Sequence, residues 1–379
     1  MPPFLSNCSL QKKISNNLVE SFNIMTTFFF RRSVEKAFQL DESPTLTLNP
    51  HKPLEGTPPF VTNAVDDVMY IVREVLQRSL ATSQRAVISS VVPTLGRVLG
   101  SDFVGMIQRK MRDEVYPKAV IQGTPPPEDK IIAFLVLINN LDVATDYLNR
   151  TVSSYTDSTA TNEERPSLED MFPFGHDATF VRTTLQNLAH SFSAKTSELM
   201  NDGITVAFHQ VIKPRIRPIL SEAFKDVDYQ PSSASEPDTE DDGDASSSAE
   251  LVKARFDRGW SALTRPIKRI LTPTAFDKLL TMTLSYLSKA LEKRIWSYYG
   301  RVNELGAIKL ERDVAGIIAA AVVGGKYALR EAFTRCTQMT LIMNMEEDEW
   351  EEMVEEGEES DWALDKGERQ RARAVVERG

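Results

Sequence analysis

The residues able to hold a metal or move protons are few in this chain and badly spaced for either task. Of the four histidines, His51, His176, His190 and His209, only the last two share a predicted helix, and nineteen positions separate them. They lack the i, i+4 relation and the Cys or carboxylate partners that a zinc site or metalloprotease requires. Cys8 and Cys336 are the only cysteines. A disulfide framework or C-x-x-C site cannot be built from them, and a reducing cytosolic setting is expected. No G-x-S-x-G or G-x-G-x-x-G occurs, and Gly324-Gly325-Lys326 lacks the first glycine of a phosphate loop. No catalytic, metal-binding or cofactor-binding residue is assigned, and the chain reads as non-enzymatic.

The chemistry left over is electrostatic. Arg335 stands beside an apolar stripe over residues 310–345, which carries Val314, Ile318, Ala321, Gly325, Ala328 and Ala332 and resumes at Cys336, Met339 and Met343. A guanidinium beside a packing seam requires carboxylate or backbone acceptors. Glu331 is the local candidate, at i−4 on the same predicted helix. Basic clusters occur at Arg31 with Arg32, at 109–112, 213–217, 265–269 and 369–373. They suit either solvated helix faces or contact with anionic lipid and acidic partner helices. Lys213, Arg215 and Arg217 form the candidate interaction patch, because Pro214 and Pro218 hold them at a predicted helix end.

Composition narrows the class further. The chain has 379 residues, 41% of them hydrophobic and 26% charged, with a net charge of −10. That balance suits a globular fold and argues against sequence-independent nucleic-acid binding, whose affinity comes from Lys and Arg meeting phosphates. The charge-free runs at 131–140 and 314–325 fall short of the roughly 20 apolar residues a membrane crossing requires, so no transmembrane segment is expected.

Helical spacing dominates the elements that must position these residues. In 62–80, Val65, Val68, Met69, Val72, Val75, Leu76 and Leu80 form one apolar face. The stretch 131–141 is apolar nearly all round and predicts a central helix. A bend is expected at Pro93, a cap at Ser101, a weak point at Gly203 and a capping arrangement of Thr274 with Asp277. The stretch 310–345 holds no proline and predicts one long helix. No segment alternates as a strand does. The expected organisation is an N-terminal segment at 1–59 with one helix and a flexible Pro-rich loop, then a helical bundle at 60–225. An acidic disordered linker follows at 226–250, then a C-terminal helical domain at 251–379 with an acidic insertion at 346–361.

Several of these helices resemble those of one family. The segments are RRSVEKAFQLD (31–41), AVDDVMYIV (64–72), SDF with KMR (101–103 and 110–112), FLVLINNLDV (134–143), IKPRIRP (212–218) and FTRCTQMTLIMNME (333–346). In this order and rough spacing they resemble the C-terminal part of subunit four of the conserved oligomeric Golgi complex. The resemblance covers about 29–346. Residues 1–25 do not resemble the family, its N-terminal half is missing, and the acidic run looks like a fungal-type insertion or an altered end. Beyond that run Trp362, Leu364 and Glu368 line up.

The resemblance implies an all-α fold, an elongated helical-bundle rod of the multisubunit tethering complex type with two stacked helical domains. It implies capture of vesicles in intra-Golgi retrograde transport without catalysis. The implied partners are the other Golgi-complex subunits, SNARE helices and a regulator of SNARE assembly. The implied place is the cytosolic face of the Golgi membrane, held there peripherally through partners. It also implies that Arg335 pairs with a glutamate of the terminal helical hook, a position matched by Glu368, as a structural lock. Composition and periodicity alone leave open a generic helical scaffold or adaptor, or an exocyst-like tether subunit.

Overall fold

A computed structural model describes residues 8–119, 124–156, 167–230, 244–322, 327–355 and 362–376. Among them all regular structure is helical, apart from one isolated parallel bridge between Val302 and Val376. The all-α expectation holds. The chain divides into two compact units, Met1–Ala207 with Lys268–Ala275, and Phe208–Ile267 with Phe276–Gly379. The division falls after Ala207, inside the expected 60–225 bundle and ahead of the 226–250 run.

Unit one contains α1 (Ser9–Ile14), α2 (Glu20–Gln39), α3 (Asn63–Ala81), α4 (Arg85–Val98), α5 (Val104–Arg109), α6 (Glu128–Thr156), α7 (Leu168–Met171) and α8 (Asp177–Ala207). All seven apolar residues read as the face of α3 are buried. Every residue of α6 from Phe134 to Leu141 is buried, and α6 packs lengthwise against α8. It is the expected central helix. Burying each large apolar side chain contributes about 1.5–3 kcal/mol, so α6 anchors the unit. By length and composition alone, Arg85–Glu114 and Glu128–Thr156 could cross a membrane, but 50% and 67% of their most apolar windows lie buried inside the protein.

Two local expectations differ from the structure here. Pro93, the expected bend, sits inside α4, and π-turns at Leu99–Phe103 and Lys110–Glu114 carry the helix onward. Ser101 therefore caps no helix; its hydroxyl donates to Asp102 at 2.7 Å. Gly203, the expected weak point, lies inside α8 without interrupting it. It is a site of close approach, where an added Cβ would come within 2.6 Å of the Met111 methyl and 3.1 Å of Ile138 Cγ1. The Pro-rich loop is also tied down. Thr47 Oγ1 and the Leu48 N–H donate to Glu128 Oε1 at 3.0 and 2.7 Å. Arg269 donates to the carbonyls of Asn49, Pro50 and Lys52.

Unit two is built from α9 (Lys213–Ala223), most of α10 (Asp244–Ile270) and of α11 (Pro273–Trp296), α12 (Glu304–Val322), α13 (Thr334–Asn344), α14 (Glu347–Glu355) and α15 (Lys366–Arg373). The expected single helix over 310–345 is instead two helices. A 3₁₀ segment at Tyr327–Phe333 separates α12 from α13, and residues 323–326, with the Gly-Gly-Lys run, lie outside the described residues. Asn344, at the end of α13, donates to Ala307 O at 3.3 Å and to Glu311 Oε2 at 2.6 Å, near the start of α12. The two helices thus fold back on each other, which puts Arg335 in the first turn of α13.

The expected linker is also partly structured. Residues 231–243 lie outside the described residues, but 244–250 belong to α10 and Tyr229 is 2% exposed. Its ring meets Tyr298 edge-on at 5.0 Å. The Gly306 backbone lies so close to the Tyr229 carbonyl that a Cβ there would collide with it. Tyr229 is thus held in the core, while Asp226, Asp228 and Gln230 around it stay exposed. Of the acidic run, Glu347–Glu355 is helical with Met353 buried, and 356–361 lie outside the described residues.

Candidate functional site

The densest polar cluster in unit two surrounds Arg335. Its Nε and Nη2 donate to the two carboxylate oxygens of Glu292 at 3.2 and 2.8 Å. Nη1 and Nη2 donate to Glu368 at 3.1 and 2.6 Å, and Nη1 also donates to the Ala363 carbonyl at 2.8 Å. These are five bonds from a group with five N–H donors. A cation in the first turn of a helix opposes the helix dipole; two facing carboxylates reverse that penalty. Glu368 does a second job. Its carboxylate accepts the Asp365 N–H at 3.0 Å while Asp365 caps Glu368 N at 2.8 Å, a capping box that starts α15. The hydrogen bond from Arg335 holds Glu368 below the usual glutamate range.

The sequence-expected Glu368 is therefore brought to Arg335, and Glu331 is not. Glu331 lies in the 3₁₀ segment before α13, so the i, i+4 geometry of a continuous helix never forms. The sequence reading missed Glu292. It sits on α11, and nothing local to either residue signals the pairing.

Lys213, Arg215 and Arg217 lie in α9, with Pro214 in its first turn and Pro218 inside it. Lys213 and Arg217 are four residues apart and share a face; Arg215 points elsewhere. Lys213 Nζ sits 5.5 Å from the Tyr286 ring centroid. Burial lowers the pKa of the half-buried Arg215.

The remaining basic clusters are largely engaged. Lys110 pairs at 2.8 Å with Asp41, whose side chain is 3% exposed, and Arg112 pairs with Asp113. The 369–373 cluster is a set of arginine–tryptophan stacks: Arg369 over Trp362 at 5.9 Å, Arg371 over Trp296 at 4.6 Å and Arg373 over Trp350 at 5.5 Å. Among the described residues no three His, Cys, Asp or Glu side chains gather as metal ligands.

Two asparagines in the middle of apolar α6 form a second polar centre, in unit one. Asn139 and Asn140 are fully buried. Asn139 Nδ2 donates to the carbonyls of Phe60 at 2.9 Å and Ile270 at 2.7 Å, and its Oδ1 accepts the Thr272 N–H at 2.9 Å. Asn140 Oδ1 accepts the Thr62 N–H at 3.0 Å, and its Nδ2 donates to Thr62 Oγ1 at 3.0 Å. Two loops are thereby fixed to one helix. Thr272 in turn caps α11 through Ala275 N at 3.3 Å, the role expected of Thr274. Asp41 Oδ1 accepts the Ala64 N–H at 3.1 Å at the start of α3. Several segments that carry the family resemblance thus meet here, through Asp41, Ala64, Lys110, Asn139 and Asn140. A paired asparagine in an otherwise apolar helix was the available signal.

Both polar centres tie helices and loops to one another. The family model described as "Conserved oligomeric Golgi complex subunit 4, C-terminal" matches residues 134–371, and the model described as "COG4 transport protein, middle alpha-helical bundle" matches residues 1–111. The second match overturns the expectation that residues 1–25 fall outside the family. The Arabidopsis thaliana relative, described as conserved oligomeric Golgi complex subunit 4, is 24% identical over 90% of this chain and 42% of its own length. The Saccharomyces cerevisiae relative of the same description is 22% identical over 98% of this chain and 52% of its own. The human one is 22% identical, over 90% and 43%. The chain thus spans about half the length of these relatives. Among solved structures, the C-terminal domain of the exocyst subunit Sec6p is similar in fold, with a TM-score of 0.52 at 12% identity over 97% of this chain and 91% of that one. With both family models matched in succession along the same helices, this chain belongs to the family of conserved oligomeric Golgi complex subunit 4.

Proposed function

We propose that this chain works as a non-catalytic subunit of a Golgi vesicle-tethering complex, acting in intra-Golgi retrograde transport. It binds sister subunits of that complex, and SNARE helices and their regulators dock on it. It sits peripherally on the cytosolic face of the Golgi membrane. The observation that carries this reading is the match to the C-terminal family model over 134–371, most of it in the unit that Arg335 holds together. In this reading Arg335 and Glu368, joined by Glu292, are a structural lock that fixes α15 and its flanking chain as a rigid end. Lys213 and Arg217 offer one cationic face of α9 to an acidic partner helix, with Arg215 on a different face. Partner helices are recognised by apolar stripes laid into grooves between helices.

Affinity capture of the tagged chain from cell extract, read by mass spectrometry, tests the assignment. Sister subunits of the Golgi complex or Golgi SNAREs are the expected recoveries. Recovery of exocyst subunits alone would sink it in favour of an exocyst-like tether. The likeness to the Sec6p domain concerns the fold and gives no support to that alternative.

A further inference from the structure

One face of α2 carries large apolar side chains that are mostly exposed. Ile24, Met25, Phe28 and Phe29 are 63%, 71%, 68% and 52% exposed. They form a ridge, since positions 24, 25, 28 and 29 fall on one side of a helix. Immediately beside the ridge is a cleft of about 480 Å³ in unit one, lined by Thr27 and Arg31 of α2 together with Arg97, Gly100, Ser101 and Lys195. Ile24 and Phe28 each precede a cleft residue by three positions and so form its rim. Arg31 is paired with Asp102 at 3.1 Å. Among the described residues, Arg97 donates to the Thr94 hydroxyl at 2.9 Å and meets no carboxylate. Lys195 lies across Gly100, with its ammonium 2.6 Å from where a Cβ there would stand. The cleft thus brings three cations against one carboxylate. A neighbouring groove between α4 and α8 shares Arg97 and Lys195, so both cations are open to solvent on two sides.

We infer that this face of unit one docks directly on a membrane bearing anionic phospholipid: the cleft receives a phosphate headgroup and the ridge enters the interface. Charge selects the bilayer: the apolar ridge stands beside Arg97 and Lys195, and an anionic lipid interface takes up apolar side chains and cations together. Aromatic and aliphatic side chains flanked by unpaired cations are the composition of an interfacial helix. The inference goes beyond the subunit assignment and does not depend on it, since vesicle binding is measured without other subunits.

The test is co-sedimentation of the full chain with phosphatidylcholine vesicles, with and without about a third phosphatidylserine. Binding is expected only to the anionic vesicles, weakening as salt rises. Arg97→Ala with Lys195→Ala should weaken it about 25-fold, at about fivefold per cation, and Arg97→Lys should leave it nearly intact. Met25→Ser with Phe28→Ser should weaken it about tenfold or more. All four positions are solvent-facing, so circular dichroism of the variants should match the parent. Equal binding by parent and variants, or none by the folded parent, would overturn the inference. So would a ridge variant that leaves vesicle binding unchanged but turns a dimer into a monomer, or abolishes capture of an acidic amphipathic peptide.

Discussion

Arg335 shows how one side chain can join three segments distant in sequence. All of its donors are used, on Glu292 of α11, on Glu368 of α15 and on the Ala363 carbonyl. Its side chain is 35% exposed, so the cost of losing it lies between the small value of a surface pair and that of a buried one. Arg335→Ala should lower stability by about 2 kcal/mol, because it also leaves two carboxylates facing each other. Hydrogen exchange on the full chain should show the loss of protection confined to unit two. The deficit should depend on pH. Glu368 has its folded pKa depressed below the ordinary 4.5, so its contribution is complete above that value and fades as pH falls through the depressed one. Urea melts of parent and variant should converge in acid; a constant gap would mean that packing, not charge, carries the effect. Asn139→Leu is expected to cost about 3 kcal/mol, since it strands two buried carbonyls and one N–H. A thermal melt that shifts by less than a degree or two would contradict the clamp. Arg335 was legible in the sequence because a cation beside an apolar stripe demands an acceptor. Asn139 and Asn140 were hidden because the run around them is so apolar that it reads as simple core.

At the scale of elements, apolar spacing located the helices well and their ends poorly. The faces of α3 and α6 follow the 3.6-residue period and are buried as that period requires. Expected punctuation misled. Ser101 caps no helix, whereas 310–345, without a proline, folds back into α12 and α13. The reversal is stabilised by contacts remote in sequence, such as Asn344 with Glu311, which no local pattern encodes. The start of α12 is the sharpest example. Asn303 caps Gly306 N at 2.8 Å and donates its own N–H to the Tyr229 carbonyl at 3.1 Å. The Tyr229 hydroxyl, meanwhile, reaches the buried Asp313 at 2.8 Å. Burial raises the pKa of both Asp313 and Tyr229. Gly306→Ala should force the Tyr229 backbone away and cost about 2 kcal/mol. Faster exchange of the amides at 226–230 and 303–307 is the expected signature; unchanged protection there would refute the close approach.

For the whole molecule, a domain boundary drawn at 251 would amputate Tyr229 and α9 from the unit they complete. Unit two takes in the chain on both sides of the acidic run, because a few buried contacts outweigh average composition. Family membership was legible from the order of the quoted segments, and the structure gives several of those segments a shared physical job in the clamps of unit one. We propose that these helices form a platform for sister subunits. Sedimentation velocity of the purified chain with purified sister subunits of the Golgi complex tests it most directly. A faster-moving complex, formed with a fixed stoichiometry and weakened by Arg335→Ala, is the expected result. A chain that sediments alone beside those subunits, while its fold is intact, would contradict the account.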